Sequence, residues 1–467
     1  ERNLRSLLSS SLYGEMNDNS DRRFLSFSDN RQNAAYFAPY LEDTHENMVL
    51  HGAMWKTIEG CKEELEGPGI AIGDFKNKLE GLINEKSIYS SRLEMEFDRY
   101  GNKIEKKASA SQDAWIILMI DCAKFNGNKS FEYMGQVYYA MDHRVKDFGF
   151  CDLPEDQARD LVNQIVKIVR DNLHVLIPSE INNEGTLDRY YSIIRPSTIP
   201  LDKNNRKGNE GVFLTKRVRK YLSLVVGEKN IVNVCKAIFR NCCESEDGRY
   251  SVKLEDLRIK RKNHVYRCTE CNKVSPFNVK DICVWCCKPT LRAEDTSVMK
   301  DDNTYSHNYS CAPLRSLRIK EHTAQLDHDR ARLYQRMFKE KDLDALSCST
   351  TFEVGVDIGD LNVVFMRNVP PTPANYIQRA GRAGRSPDSS AYALTFCKNS
   401  SHDTNYFKNP ADMIRGKVPV PNIKPDNPRI VIRHIFASAL SFYWRDQVGH
   451  YQEGIQEFMD SYDDFEA

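Results

Sequence analysis

Residues 376–385 read Tyr-Ile-Gln-Arg-Ala-Gly-Arg-Ala-Gly-Arg. Three arginines and a glutamine lie within eight residues, and glycines separate them. Guanidinium groups match phosphate oxygens in geometry and stay charged. Arg382 and Arg385 are three residues apart, so on a helix they would project from one face toward one phosphate group. Each glycine inside a helix costs about 1 kcal/mol, which favours a functional role for Gly381 and Gly384 over a merely solvent-exposed basic helix.

A second stretch, residues 345–359, begins as an apolar strand and continues as a loop rich in hydroxyl groups and glycine. Ligands commonly bind at the carboxyl ends of parallel strands. The pattern therefore predicts backbone contacts to phosphate or ribose from this loop.

Around these stretches, short apolar runs alternate with helical spacing. The predicted strands are 23–29, 317–320, 345–348, 363–366 and 391–396, and the predicted helices are 31–41, 327–339 and 373–383. Such alternation predicts an α/β fold in which helices flank a parallel sheet.

Residues from about 44 to 310 have a different pattern of apolar residues. Their periodicity predicts helices near 113–147, 154–176, 211–226 and 229–243, followed by alternating stretches at 249–253 and 257–260. The alternating stretches suit a hairpin, and helices followed by a hairpin are typical of a winged-helix-like module. Two basic clusters occur there, Lys216, Arg217, Arg219 and Lys220, and Arg258, Lys260, Arg261 and Lys262. Each cluster fits either a phosphate contact or a solvated surface.

Five of the 14 cysteines lie between Cys268 and Cys287. Cys268 and Cys271 form one Cys-x-x-Cys pair, and Cys283 and Cys286 form a second pair eleven residues later. This spacing predicts a structural, tetrahedral Zn²⁺ site of the zinc-ribbon kind. Cys287 could replace Cys286, because Cys-x-x-x-Cys is also workable.

Taken together, the motifs resemble those of superfamily 2 helicases. Residues 378–385 are similar to motif VI, 347–357 to motif V, 27–32 to motif IV and 321–324 to motif IVa. The runs 368–375 and 427–434 resemble bacterial helicases of the MrfA and DISARM DrmA kind. The resemblance covers about 23–43 and 315–400 and implies the second, C-terminal RecA-like lobe of such an enzyme.

The resemblance also implies roles for individual residues. It implies that Arg382 and Arg385 are arginine fingers and that Gln378 orders the γ-phosphate site. Nucleotide contacts are implied for Gly355, Asp357, Gly381, Arg382 and Arg385, and contacts to the backbone of the tracked strand for Ser28, Arg31, Thr323, Ser349 and Thr350.

The sequence contains neither a Gly-x-x-x-x-Gly-Lys-Ser/Thr loop nor an Asp-Glu-x-x motif. These are the groups that hold the phosphates and Mg²⁺ in such motors. We therefore expect ATP and Mg²⁺ to be shared with a first RecA-like lobe that lies upstream or on a partner, and the chain alone to be inactive. We interpret Glu1 as an internal start of a longer protein.

The expected division of the chain follows these features. We expect a linker at 1–20, a split RecA-like lobe at 21–43 and 311–435, a helical insertion at 44–200, the winged-helix-like module at 201–262, a zinc ribbon at 263–295 and an acidic helical tail at 436–467. The net charge is +0, and no apolar run is long enough for a membrane helix. The crowded cysteines suit a reducing, cytoplasmic compartment.

These observations lead to one principal functional hypothesis and two alternatives. The principal hypothesis is an ATP-dependent DNA helicase or translocase that acts in bacterial DNA repair or phage defence, together with other subunits. The first alternative is a non-catalytic nucleic-acid-binding or scaffold subunit. The second is an RNA helicase lobe, since contacts to phosphates do not distinguish the two nucleic acids.

Overall fold

The computed structural model describes most of the chain in separate stretches. They are residues 23–88, 95–97, 103–105, 110–123, 129–141, 153–171, 175–176, 216–246, 249–301, 303–323, 326–349, 361, 363–384, 391–416 and 427–447.

A five-stranded sheet forms the RecA-like lobe and confirms the predicted α/β architecture. Its strands, in spatial order, are β13 (Ile319–His322), β14 (Ala345–Cys348), β1 (Phe24–Phe27), β15 (Val363–Met366) and β16 (Tyr392–Thr395). All neighbouring strands are parallel. The three central strands are buried along their whole length, as expected for strands with helices on both faces.

Apolar side chains on the two faces of this sheet form two separate cores. On one face, Phe37 and Leu41 of the helix Arg31–Gly60 pack against Phe365. On the other face, Met337 and Phe338 of the helix His328–Lys339 pack with strand residues that include Phe27. The lobe is therefore assembled from segments about 300 residues apart in the chain.

One continuous helix joins the lobe to the insertion. The helix Arg31–Gly60 packs on the sheet through Ala34 to Leu41, and its second half, from Val49 to Ile58, enters the core of the insertion. The expected boundary between residues 43 and 44 therefore lies inside a helix. Residues 42–47 contain no apolar side chain, and His45 and Glu46 are buried there instead, so the apolar pattern does not reveal that the helix continues.

The insertion is mixed in structure, and its helices share one large core with several short strands. Its helices are Lys62–Glu66, Ile72–Lys86, Ala110–Ala123, Glu155–Asp171, Lys216–Val226, Ile231–Cys242, Thr296–Asp301 and Thr304–Ser310. Its strands are β2 (Ile70–Ala71), β3 (Met95–Phe97), β4 (Lys103–Glu105), β5 (Tyr138–Met141), β6 (Val175–Leu176), β7 (Glu244–Glu246), β8 (Arg249–Lys253), β9 (Leu257–Lys260), β10 (His264–Cys268), β11 (Val274–Ser275) and β12 (Leu291–Asp295).

Two expectations for the insertion were wrong. The helix predicted over 113–147 ends at Ala123, and the Phe131 amide donates to the buried Asp121 carboxylate of its last turn at 2.8 Å. The hairpin predicted from 249–253 and 257–260 does not form. β8 pairs with β6 and β7, whereas β9 pairs with β2 and β5.

A short 3-10 turn, Leu254–Asp256, explains the missing hairpin. Leu254 and Leu257 are both buried, and the turn between them carries the chain from one small sheet into another. Burial of these side chains therefore outweighs local pairing, and the winged-helix expectation loses the hairpin on which it depended.

The rest of the described chain is helical. It comprises Pro373–Ala380 in the lobe, then Ser401–Lys408, Pro410–Ile414 and Pro428–Gln447. Within the described residues, no helix combines the length and the apolar composition needed to cross a bilayer.

Candidate functional site

The carboxyl ends of the parallel strands bring several predicted residues to one edge of the sheet. Ser28 directly follows β1, Thr323 follows β13, and Ser349 follows β14. All three side chains are buried. The edge therefore carries a row of hydroxyl groups at the position where α/β sheets usually bind their ligands.

Arg31 lies at the same edge, in the first turn of the long helix, and it is exposed. The helix begins there because the Asn30 side chain accepts hydrogen bonds from the backbone amides of Gln32 at 2.8 Å and Asn33 at 3.2 Å. This cap satisfies two of the amides that a helix leaves open at its start. It also places Arg31 in the first turn, at the positive end of the helix, where an anion is favoured.

The arginine-rich segment is not one continuous helix. The helix Pro373–Ala380 ends before Gly381, and the Arg382 amide donates to the Arg379 carbonyl at 3.1 Å in a tight turn. The expectation that Arg382 projects from a helix face was therefore wrong, because a glycine follows the last helical residue. Gln378 and Gly381 are exposed at this end of the helix.

Gly384 is required by its backbone conformation. Its φ is +75°, and its amide donates to the Leu361 carbonyl at 2.8 Å. A Cβ at this position would lie 2.6 Å from the Cβ of Ala391. The second glycine of the motif thus lets the chain turn back against the sheet.

Arg382 is buried, and the neighbouring Ala380 and Ala383 pack against the core that contains Cys348, the last residue of β14. Burial raises the pKa of the Cys348 thiol well above its ordinary value, and the positive charge of Arg382 acts in the opposite direction. Cys348 is the last residue of β14, and Ser349 follows it. The structure therefore brings the segment resembling motif VI next to the start of the loop resembling motif V.

An ion pair between a buried arginine and a partly exposed aspartate links this segment to the loop after β1. Arg379 is fully buried, and its Nη2 donates to Asp29 Oδ1 at 2.5 Å. Asn368 donates to the other Asp29 oxygen. The Arg379 guanidinium also lies over the Phe27 ring, 5.6 Å from its centroid. Two residues that are more than 330 positions from Asp29 in the chain thus converge on its carboxylate.

The sequence did not reveal this role of Arg379. Arg379, Arg382 and Arg385 follow one another at intervals of three residues. No local feature of the sequence distinguishes a phosphate-binding arginine from a buried one. Thr350, Gly355, Asp357 and Arg385 lie outside the described residues.

The four predicted metal ligands form one cluster. The sulfur atoms of Cys268, Cys271, Cys283 and Cys286 all lie within 4.8 Å of one another. Two of the sulfur–sulfur distances, Cys268 to Cys286 and Cys271 to Cys283, are 3.6 Å. Zinc–sulfur bonds of about 2.3 Å in a tetrahedron place sulfur atoms about 3.8 Å apart. The quartet therefore fits a four-coordinate metal ion.

The two Cys-x-x-Cys turns have the same backbone structure. The amides of Cys268 and Cys283 donate to the carbonyls five residues later, each at 2.9 Å. Asn272 and Cys287 both follow the second cysteine of their turn and both have a φ of +56°. Their amides donate back to the first cysteine at 2.9 and 2.8 Å. Cys287 thus occupies the position of Asn272.

Of the two candidates for a fourth ligand, only Cys286 lies with the other three sulfur atoms. The Cys287 thiol donates to the Arg217 carbonyl at 3.6 Å and lies outside the sulfur cluster, whereas Cys286 lies within it. The predicted quartet with Cys286 is the one that the structure assembles.

Comparisons with known proteins agree with the motifs. Residues 296–387 match the family model of the helicase conserved C-terminal domain. The Druantia protein DruE of Escherichia coli (strain UMEA 4076-1) is 35% identical over 242 residues, which are 46% of this chain and 13% of that protein. The ATP-dependent helicase HRQ1 of Saccharomyces cerevisiae (strain ATCC 204508 / S288c) is 34% identical over 86 residues, which are 18% of this chain and 8% of that protein.

A solved structure, the DUF1998 helicase MrfA bound to DNA and AMPPNP, is also similar. It is 22% identical with a TM-score of 0.26, and the match covers 30% of this chain and 20% of that chain. The chain thus spans a small part of the length of each of these relatives.

Proposed function

We propose that the chain contains the C-terminal RecA-like lobe of a superfamily 2 helicase and is the motor half of an ATP-dependent DNA helicase or translocase. The match of residues 296–387 to the helicase conserved C-terminal domain supports this proposal. The proposed setting is bacterial DNA repair or phage defence, with other subunits as partners. The first RecA-like lobe would be supplied upstream or by another chain.

The observation that carries this proposal is the meeting of three segments at one edge of the sheet. Ala380 and Ala383, on either side of the Gly381–Arg382 turn, pack against the core that contains Cys348, and Arg379 donates to Asp29 after β1. An edge with cationic, hydroxyl and exposed helix-terminal groups suits phosphates on both the nucleotide and the tracked strand.

Each residue has a proposed task at this edge. Arg382 and Arg385 reach the γ-phosphate across the cleft between the lobes, and Gln378 helps to order it. Gly355, Asp357 and Gly381 form the nucleotide-facing surface, with Asp357 at the ribose. Ser28, Arg31, Thr323, Ser349 and Thr350 hold the strand backbone. Hydrolysis of ATP, bound together with Mg²⁺, would drive the movement of the two lobes.

The cysteine quartet is proposed to bind structural Zn²⁺. A closed site of four thiolates leaves no coordination position for substrate, so the ion would stabilise the fold and take no part in hydrolysis.

ATP turnover of a protein that contains both lobes tests the proposal. We expect turnover to be stimulated by DNA and to fall about 10³-fold in Arg382→Ala and Arg385→Ala, the scale of an arginine finger, with DNA binding retained. Arg382→Lys keeps the positive charge but lacks the planar guanidinium group that can donate two parallel hydrogen bonds. Arg332→Ala, at an exposed helix position, is the matched control. Thermal unfolding checks that the buried Arg382 variants fold.

Three outcomes would contradict parts of the proposal. Unchanged turnover in both alanine variants would remove the finger assignment. Stimulation by RNA alone would favour the RNA motor. Absence of turnover in the two-lobe protein, with nucleic-acid binding intact, would favour the scaffold.

A further inference from the structure

The helix Lys216–Val226 packs directly against the second cysteine turn. Its Val218 and Tyr221 are buried in the common core of the insertion, where Cys287 also packs. The Cys287 thiol donates to the Arg217 carbonyl at 3.6 Å near the start of the helix. The Lys280 ammonium donates to the Val225 carbonyl at 2.7 Å near its end. Both ends of the helix are therefore attached to the module of residues 264–295, here called the ribbon module.

The two basic clusters of the insertion have different surroundings. In the cluster 258–262, Arg258 donates to the Gly69 carbonyl at 2.7 Å, Arg261 pairs with Glu59 at 3.5 Å, and Lys262 pairs with Asp160 at 3.7 Å. These contacts hold the insertion together. This cluster is structural.

The cluster on the helix Lys216–Val226 faces outward. Lys216, Arg217 and Lys220 are exposed, and spacings of three and four residues place them on one side of the helix. Among the described residues, no carboxylate forms an ion pair with any of these three. By contrast, Arg219 pairs with Glu228 at 3.0 Å. The three remaining cations form a compact positive surface on a rigid support.

We propose that Lys216, Arg217 and Lys220 form a second nucleic-acid contact, which binds the phosphate backbone of a DNA strand. This surface lies in the insertion and goes beyond the strand contacts proposed for the lobe. A run of phosphates supplies closely spaced negative charges without a defined side-chain geometry, which suits one guanidinium and two flexible ammonium groups. The packed helix holds the three charges in a fixed relative position.

DNA-binding measurements on the 467-residue chain test this proposal. Fluorescence anisotropy is recorded with a labelled single strand and with a duplex of the same sequence, without nucleotide, over a range of salt concentrations. We expect the triple variant K216E/R217E/K220E to bind at least about tenfold more weakly. For the single strand, the slope of log K against log salt should shrink by about 2, since each lost phosphate contact contributes about 0.7.

The matched control is K56E/K62E/K86E, which changes the net charge equally at exposed positions outside the helix Lys216–Val226. It should change binding far less. The neutral variant K216Q/R217Q/K220Q serves if the reversed charges prevent folding, and it should show a weaker loss in the same direction.

Three results would overturn the proposal. Equal losses in the two charge-reversed variants would show an effect of total charge. Loss of bound metal from K216E/R217E/K220E would show that the cations offset the negative charge of a metal–thiolate centre. Unchanged DNA binding would contradict the DNA contact and would favour an acidic protein partner for these three cations. Because no nucleotide is present, each result is independent of the ATPase test of the lobe.

Discussion

The RecA-like lobe and the ribbon module assemble their polar groups in different ways. In the lobe, the Arg379–Asp29 pair joins residues 350 positions apart, and β1 pairs with strands more than 300 residues later. In the ribbon module, all four cysteines lie within 19 residues, and each cysteine turn closes its own hydrogen bonds. The first site depends on the whole sheet, whereas the second depends on two short turns.

This difference explains why the cysteine site is easier to predict from the sequence than the site at the sheet edge. The spacing of the cysteines is enough to predict the geometry of the two local turns. For a site at a sheet edge, the sequence shows only which polar side chains are candidates. The packing of the folded chain decides which of them face the ligand and which are buried. The same motif therefore contains Arg382, proposed to bind phosphate, and Arg379, which is an internal ion-pair partner.

The largest expected effect is loss of the proposed zinc ligands. Cys268→Ser should lower bound zinc from one equivalent to less than about half an equivalent, because serine is a poor zinc ligand. Structural zinc contributes on the order of 10 kcal/mol in small modules, so the ribbon module should become sensitive to protease. Metal analysis and limited proteolysis measure both. Full zinc content in this variant would refute the quartet.

The next largest effect concerns the lobe. Arg379→Met should lower the free energy of unfolding by about 2–3 kcal/mol, below the 3–5 kcal/mol of a fully buried pair, because Asp29 is 32% exposed and can be hydrated. Chemical denaturation measures the change. Arg332→Met, at an exposed position, is the control, and an equal change in both variants would contradict a special role for the pair.

A third prediction concerns a carboxyl group in the insertion core. Burial raises the pKa of Asp121 to about 6 from 3.8, although hydrogen bonds from Tyr139 and Phe131 act in the opposite direction. Because the folded-state pKa is the higher one, this group contributes stability below about pH 4, and that contribution is lost as the pH rises to about 6.

Asp121→Asn should remove this dependence. Relative to the parent chain, the variant should gain up to about 3 kcal/mol between pH 4 and 7, from about two pKa units at 1.4 kcal/mol each. Unfolding free energies at both pH values measure the gain. The exposed Asp256→Asn is the control. A variant that tracks the parent at both pH values would show that Asp121 is hydrated.

The smallest expected effect tests the repeated turn. Cys287→Asn copies Asn272 of the first turn, and asparagine tolerates a positive φ better than most residues. We expect full zinc content and a stability within about 0.5 kcal/mol of the parent, as for ordinary substitutions away from key contacts. Metal analysis and thermal unfolding measure these quantities. Loss of zinc would show that Cys287 is a ligand.

Several elements could be predicted because local chemistry determines them. β14 and β15 form where apolar strands were predicted, and the helix Glu155–Asp171 starts after Pro154 as its first-turn carboxylates indicate. The cysteine quartet belongs to the same class. Spacing, caps and apolar runs act over a few residues, so they are visible in the sequence.

Other features required the folded chain. The missing hairpin after Lys253 and the burial of Arg379 follow from contacts with distant segments. The amino-acid sequence alone determined the strands of the lobe, the paired cysteine turns and the presence of candidate phosphate-binding groups. The packing of distant segments decided which arginine is buried, which basic cluster faces outward and which strands pair, because burial and hydrogen bonding act on the surfaces that come together.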